Sequence, residues 1–206
     1  MGRRNAIRPK GLSSPRGVRI RALLCIGTVL GLGAVGTLAA WTDEATATAT
    51  FSAGTLALKL AAVPGGTLAD SVAVTSMNMT GMYPGVSRAG MVEVANSGTV
   101  PLAYLLAGTA SNGAGGLGGD LGSALTVSIY TGGTATNNGL AGTCSGTLIG
   151  TANIPLAGPL LATARPLAPA TTEALCLLVA LPAAAATELQ GTTTTATFTF
   201  TGSIGS

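Results

Sequence analysis

From residue 40 onward, apolar and polar positions alternate with a period of two, the spacing of strands with one buried face. Leu125, Val127 and Ile129 fall on one side of a strand and Thr126 and Ser128 on the other. Ala196, Phe198 and Phe200 alternate with Thr195, Thr197, Thr199 and Thr201, and Leu56, Leu58 and Leu60 alternate with Thr55, Ala57 and Lys59. Val92 and Val94 flank Glu93; Asn96, Ser97 and Gly98 then supply turn chemistry before a strand over Val100 to Leu106. Further strands are expected at Ser71 to Thr80, Ser145 to Ala152 and Ala174 to Leu181, the last apolar on both faces. Seven to nine short strands joined by Gly- and Pro-containing turns predict an all-β fold, a jelly-roll-like antiparallel β-sandwich. Two stretches carry no strand pattern. Asn112 to Ser123 is glycine-rich and reads as a flexible surface loop, and Pro155 to Thr172 reads as a long extended connection.

The first 39 residues differ in kind. Seven of the ten Lys and Arg residues lie before position 22 and are followed by an uncharged run from Ala22 to Ala40. This is the order of a secretory signal, with an n-region over residues 1–21 and an h-region over 22–38. Gly27, Gly31, Gly33 and Gly36 weaken a stable spanning helix. Thr37, Leu38 and Ala39 offer small residues for a signal peptidase, with cleavage expected between Ala39 and Ala40. The alternative is a retained membrane anchor, since the run approaches spanning length. On the first reading, residues 40–206 are a single secreted domain that meets the membrane only transiently, and a signal helix precedes the sandwich.

Dividing the chain changes its charge. Residues 40–206 hold three cations (Lys59, Arg88, Arg165) against seven carboxylates, a net −4, so the basic balance of the whole chain belongs to the signal segment. Three scattered cations make no nucleic-acid face. The absence of histidine excludes a Ser-His-Asp triad, a His-paired cysteine nucleophile and an H-E-x-x-H zinc site, so no catalytic, metal or cofactor residues are expected. The only adjacent acids, Asp43 and Glu44, read as the solvated start of the mature chain. Of three cysteines, Cys25 leaves with the signal. Cys144 and Cys176 are expected to form a disulfide closing a loop of about 30 residues, contributing ~3 kcal/mol; two free thiols are the alternative.

The junction at Gly36–Asp43, then Ala49–Leu56 and Leu58–Leu60, resembles exported proteins processed by a SipW-type signal peptidase, the group of TasA and the camelysin-like proteins. Met82–Gly85, with its Pro-Gly turn, and Val92–Leu102, with its N-x-G-x-x-P-L run, continue the resemblance. Leu181–Pro182 and Gln190 to Phe200 extend it over most of the chain. The glycine-rich insertion, the cysteine pair and the low charge are closest to the actinobacterial branch. The metallopeptidase label of some camelysin-like members is not carried over, because the histidine ligands are missing. The resemblance implies a jelly-roll domain whose mature N-terminal segment adds as a strand to the next subunit.

The residues themselves permit this. Ala45, Thr46, Ala47, Thr48, Ala49, Thr50 and Phe51 alternate small apolar and β-branched side chains without Pro, Gly or charge, as a donor strand for a sheet edge requires. Within one molecule the same segment is expected as the first strand of the sandwich. The functional expectation is a secreted, non-enzymatic structural protein of the cell surface or extracellular matrix. It would be processed by a SipW-type peptidase and polymerise with itself through strand exchange, as in a biofilm fibre. The alternative is a monomeric secreted binding or adhesion module.

Overall fold

The computed structural model describes residues 15–35 and 45–204 and divides into two units, Met1–Phe51 and Ser52–Ser206. In the first, α1 spans Pro15–Val35, so the helix begins within the basic segment and runs on into the apolar one. Cys25 on it is free and exposed. Among the described residues no helix is long and apolar enough to cross a membrane.

The second unit is an antiparallel sandwich. It opens with β1 (Leu58–Val63), β2 (Ser87–Asn96) and β3 (Leu102–Asn112). A single-turn α2 (Leu121–Ala124) leads into β4 (Thr126–Thr131). A small hairpin, β5 (Ala135–Asn138) and β6 (Ala141–Cys144), precedes β7 (Thr147–Pro155). Two short pieces follow, β8 (Gly158–Pro159) and β9 (Arg165–Leu167), and then β10 (Thr172–Ala180) and β11 (Thr194–Ile204). One sheet has the order β1-β2-β10-β4-β7. The other is β11-β3-β8, with β9 also on β3. The chain changes sheet between β2 and β3, β3 and β4, β7 and β8, β9 and β10, and β10 and β11, the repeated crossing of a jelly roll.

The core lies between the sheets and is aliphatic. Val92 and Val94 of β2, Leu102 and Leu106 of β3, Val127 and Ile129 of β4, and Leu175 and Leu177 of β10 are all buried. At ~1.5–3 kcal/mol for each large apolar side chain buried, these residues supply the main driving force with little aromatic help. Strand β10 is apolar on both faces because each face has a cover. Leu175, Leu177 and Val179 point into the sandwich, whereas Cys176 joins Ala89 and Met91 in a second cluster with Cys144, Tyr130 and Ala135. The β5–β6 hairpin, a separate two-stranded sheet, closes that outer face and bonds to the start of β2. The Asn137 carboxamide accepts from the Ala89 N–H at 2.9 Å and donates to the Ala89 carbonyl at 2.8 Å, standing in for a neighbouring strand.

Several expectations need correction. Asn96, Ser97 and Gly98 do turn the chain, but the turn carries it across the sandwich, since β2 and β3 lie in different sheets. Asn96 is buried and organises the crossing, its amide donating to Val100 O and Leu167 O and its oxygen accepting from Gly98 N–H. A Cβ at Gly98 would stand 2.2 Å from the Thr55 carbonyl oxygen, so the close approach of residues 55–57 requires glycine there. Residues 71–80 are not a strand. Val74 O accepts from Met77 N–H and Thr75 O from Asn78 N–H, so the backbone closes on itself in a single turn over Thr75–Met77. Side-chain alternation at Val72 and Val74 survives, without a partner strand.

The glycine-rich stretch is not a free loop: Gly113, Leu117 and Gly119 donate to the carbonyls of Thr193, Gln190 and Glu188, and α2 buries Leu121. The Pro155–Thr172 connection is anchored by buried Leu156, Leu160, Leu161 and Leu167 and contributes β8 and β9. There are eleven strands among the described residues, four of them the short β8 and β9 and the two strands of the β5–β6 hairpin, where no strand was expected. The first strand begins at Leu58, and residues 45–51 belong to none. Small Ala and Thr side chains bury too little surface to offset ~1–2 kcal/mol of backbone ordering per residue without a tailored acceptor.

Candidate functional site

Strand β11 pairs with β3 over its full length, from Thr194 opposite Asn112 to Ile204 opposite Leu102. Its other edge has no main-chain partner among the described residues. Among the described residues the other edges of the two sandwich sheets are blunted. Strand β1 is short, carries Lys59 and is bridged by Ala69 at Leu60. Strand β7 contains Pro155 and an Asn153 at φ 53°, and its register with β4 shifts between Val127 and Ile129. β8 and β9 are two and three residues long and contain Pro159 and Pro166. Edge prolines, charges and bulges are the usual protection against strand addition. β11 has none of these in eleven residues.

Beside the free edge opens a groove of about 1400 Å³. One wall is residues 194–200 of β11, and the other is formed by Leu60, Arg88 and Val92, with Leu125, Val179 and Leu181 beneath. Ala196, Phe198 and Phe200 point inward onto the core, while the intervening threonines are exposed. The irregular segment 70–84 lines the groove as well. A Cβ on Gly90 would stand 2.3 Å from Met77 Cγ and 2.7 Å from Val74 Cγ1, so that segment lies directly against β2. The groove narrows toward the end of β11, where a Cβ at Gly202 would sit 3.4 Å from Leu58 Cβ.

Electrostatics single out one residue in this groove. Lys59 pairs with Asp70 at 2.7 Å, and Arg165 pairs with Glu173. Arg88 has no ion-pair partner among the described residues, and its buried Nε has no hydrogen-bond acceptor. A donor buried without an acceptor costs ~1–3 kcal/mol, more if charged. Neither the unprotected edge nor Arg88 is recognisable by motif. The signals were a long Thr/Phe strand without Pro or charge, and a cation count of only three.

A second polar cluster ties the two sheets at the opposite end of β10. Glu173 Oε2 accepts from the Tyr104 hydroxyl at 2.5 Å and from Arg165 Nε at 3.1 Å, while Oε1 accepts from Thr131 at 2.9 Å and from the other Arg165 nitrogen. Burial opposes the Glu173 charge, but the hydrogen bonds from Arg165, Tyr104 and Thr131 outweigh it and hold the carboxyl below its ordinary range. Burial, and then the hydrogen bond to Glu173, raise the Tyr104 hydroxyl far above the ordinary tyrosine value. Every lone pair is used on protein partners, which makes this cluster a structural clamp.

Among the residues expected to matter, Cys144 and Cys176 are brought together as a disulfide with a Cα–Cα distance of 5.8 Å, fastening β6 to β10. Ala39, Ala40 and the junction motif Gly36–Asp43 lie outside the described residues, as does the acid pair Asp43 and Glu44. Ala45, Thr46, Ala47, Thr48, Ala49, Thr50 and Phe51 are all exposed, Phe51 at 91 %. No cluster of three His, Cys, Asp or Glu side chains occurs among the described residues. No protein-family model matches this chain, and no curated protein does so either.

Proposed function

We propose that this chain is a secreted, non-enzymatic structural protein of the cell surface or extracellular matrix. In this reading a SipW-type peptidase removes residues 1–39, and the freed subunits polymerise by strand exchange. Residues 45–51 of one subunit add to the free edge of β11 in the next, giving a head-to-tail polymer rather than a closed dimer. The observation that carries the reading is the contrast among edges: β11 is long, uncharged and, among the described residues, unpartnered, where the other edges of the two sandwich sheets are blunted. The exposed, charge-free segment Ala45–Phe51 supplies a matching strand, and the disulfide suits an oxidising compartment outside the cytosol.

Deleting residues 45–51 tests the proposal. The shortened protein is expected to keep its disulfide and its thermal transition, yet to remain monomeric by native mass measurement and to form no fibres in the electron microscope. Fibres of normal length from the deleted protein would refute strand exchange. A monomeric intact protein at millimolar concentration would favour the adhesion-module reading.

A further inference from the structure

The groove beside β11 has a direction. Its Arg88 end is the end where β11 begins. Arg88 lies next to the start of β2, opposite Val179 near the end of β10, and Val179 in turn faces Val127 near the start of β4. α2, which leads into β4, packs on the start of β11: a Cβ at Gly122 would stand 2.3 Å from the Ala110 Cβ and 3.1 Å from Thr194 Oγ1. The far end closes at Gly202 against Leu58, and the cation beside it, Lys59, is already paired with Asp70. Arg88 also has a definite facing. Val92 and Val94 of β2 point into the sandwich and Ala89 and Met91 point out, so alternation turns Arg88 inward, and it lines the groove.

We infer that Arg88 receives the carboxylate of Asp43 from the next subunit, and that this ion pair sets the incoming strand parallel to β11 with Ala45 beside Thr194. The inference rests on the strand-exchange reading and adds direction, register and a specific contact to it. Seven donor residues, 45–51, match the seven groove-lining residues of the free edge, 194–200, a length of about 23 Å. In that register Ala47, Ala49 and Phe51 lie beside Ala196, Phe198 and Phe200 and share their inward face. Thr46, Thr48 and Thr50 fall beside the exposed Thr195, Thr197 and Thr199. Asp43, two residues before Ala45, has the inward parity and extends past Thr194 toward the unpaired guanidinium. An antiparallel strand of equal length satisfies the alternation too. It carries Asp43 to the Leu58 end, where Lys59 is already paired with Asp70, and leaves Arg88 without an acceptor, so the unpaired charge decides the direction.

The test uses the processed, disulfide-intact protein. Arg88→Glu and Asp43→Lys are each expected to slow assembly about ten-fold or more, and the double variant to recover most of the rate. Thermal melting of each variant checks that the sandwich is intact. Independently, Ala45→Cys with Thr194→Cys is expected to give intersubunit cross-links mapped by mass spectrometry, and Phe51→Cys with Thr194→Cys to give none. The Phe51–Thr194 cross-link in place of the first, or folded single variants that assemble at the normal rate, would overturn the direction and the ion pair while leaving strand exchange intact. Unchanged assembly after deletion of residues 45–51 removes the underlying reading instead.

Discussion

At the scale of single residues, the strongest dependence falls on Glu173. Its carboxylate is the shared acceptor for Tyr104, Thr131 and Arg165, drawn from β3, β4 and β9, and its side chain is only 16 % exposed. Removing the acceptor of such a part-buried network leaves its donors unpaired, at ~1–3 kcal/mol. Glu173→Ala is expected to cost about that much in urea unfolding, and Glu173→Gln less, since an amide oxygen still accepts from Tyr104. The pH dependence has two limbs. The folded-state pKa of Glu173 is lowered, so its contribution is complete above the ordinary glutamate value near 4.3 and is lost as pH falls through the folded value. The folded-state pKa of Tyr104 is raised, so its contribution is complete below the ordinary tyrosine value near 10 and drains away as pH rises beyond it. Thermal melting of the wild type against Glu173→Gln from pH 2 to 11 checks both limbs. Identical acid limbs in the two proteins would mean that the clamp does not govern acid stability.

At the scale of elements, the disulfide decides whether the β5–β6 hairpin stays on the outer face of its sheet. Cys144 ends β6 and Cys176 sits mid-β10, separated by 32 positions, so reduction frees a hairpin that buries only small residues. Replacing both cysteines by alanine is expected to lower stability by ~2–4 kcal/mol. Amide exchange should rise first at residues 135–144 and in the neighbouring Ala89, whose N–H is held by Asn137. Exchange spread evenly over both sheets would show that the bond stabilises the fold globally. The same element explains what the sequence conceals. Strands with one wet face, such as β4 and β11, are legible from period two because water enforces their alternation. β10 has covers on both faces, so its pattern says strand without saying which side Cys176 takes. The Val72–Val74 alternation mimics a strand, yet Val74 packs on Gly90 of β2 while its carbonyl accepts from Met77 N–H rather than from a neighbouring strand. The bond from Asn96 to Leu167 spans 71 positions, and no local pattern announces it.

At the scale of the whole molecule, the distribution of edges predicts how assembly can be stopped. A sandwich with two unprotected edges can grow by edge-to-edge pairing; one with a single unprotected edge needs a separate donor segment. The free peptide of residues 43–51 therefore ought to compete for β11 and leave a capped subunit with no acceptor. A ligand that binds only the folded state stabilises it by RT ln(1 + [L]/Kd), ~2.7 kcal/mol at one hundred times Kd. For a domain of this size that raises the melting temperature by roughly 5–10 °C. The same peptide with Ala47→Asp and Ala49→Asp places carboxylates beside Ala196 and Phe198 on the apolar face of the groove and should neither stabilise nor inhibit. Stoichiometric peptide added to freshly processed protein is expected to shorten fibres in the electron microscope in proportion to dose, together with the rise in melting temperature. Inhibition without stabilisation points to binding at fibre ends elsewhere than β11. Stabilisation without inhibition means that β11 accepts a strand but the polymer does not grow through it. Both effects together, absent with the aspartate peptide, tie growth of the polymer to the open edge of β11.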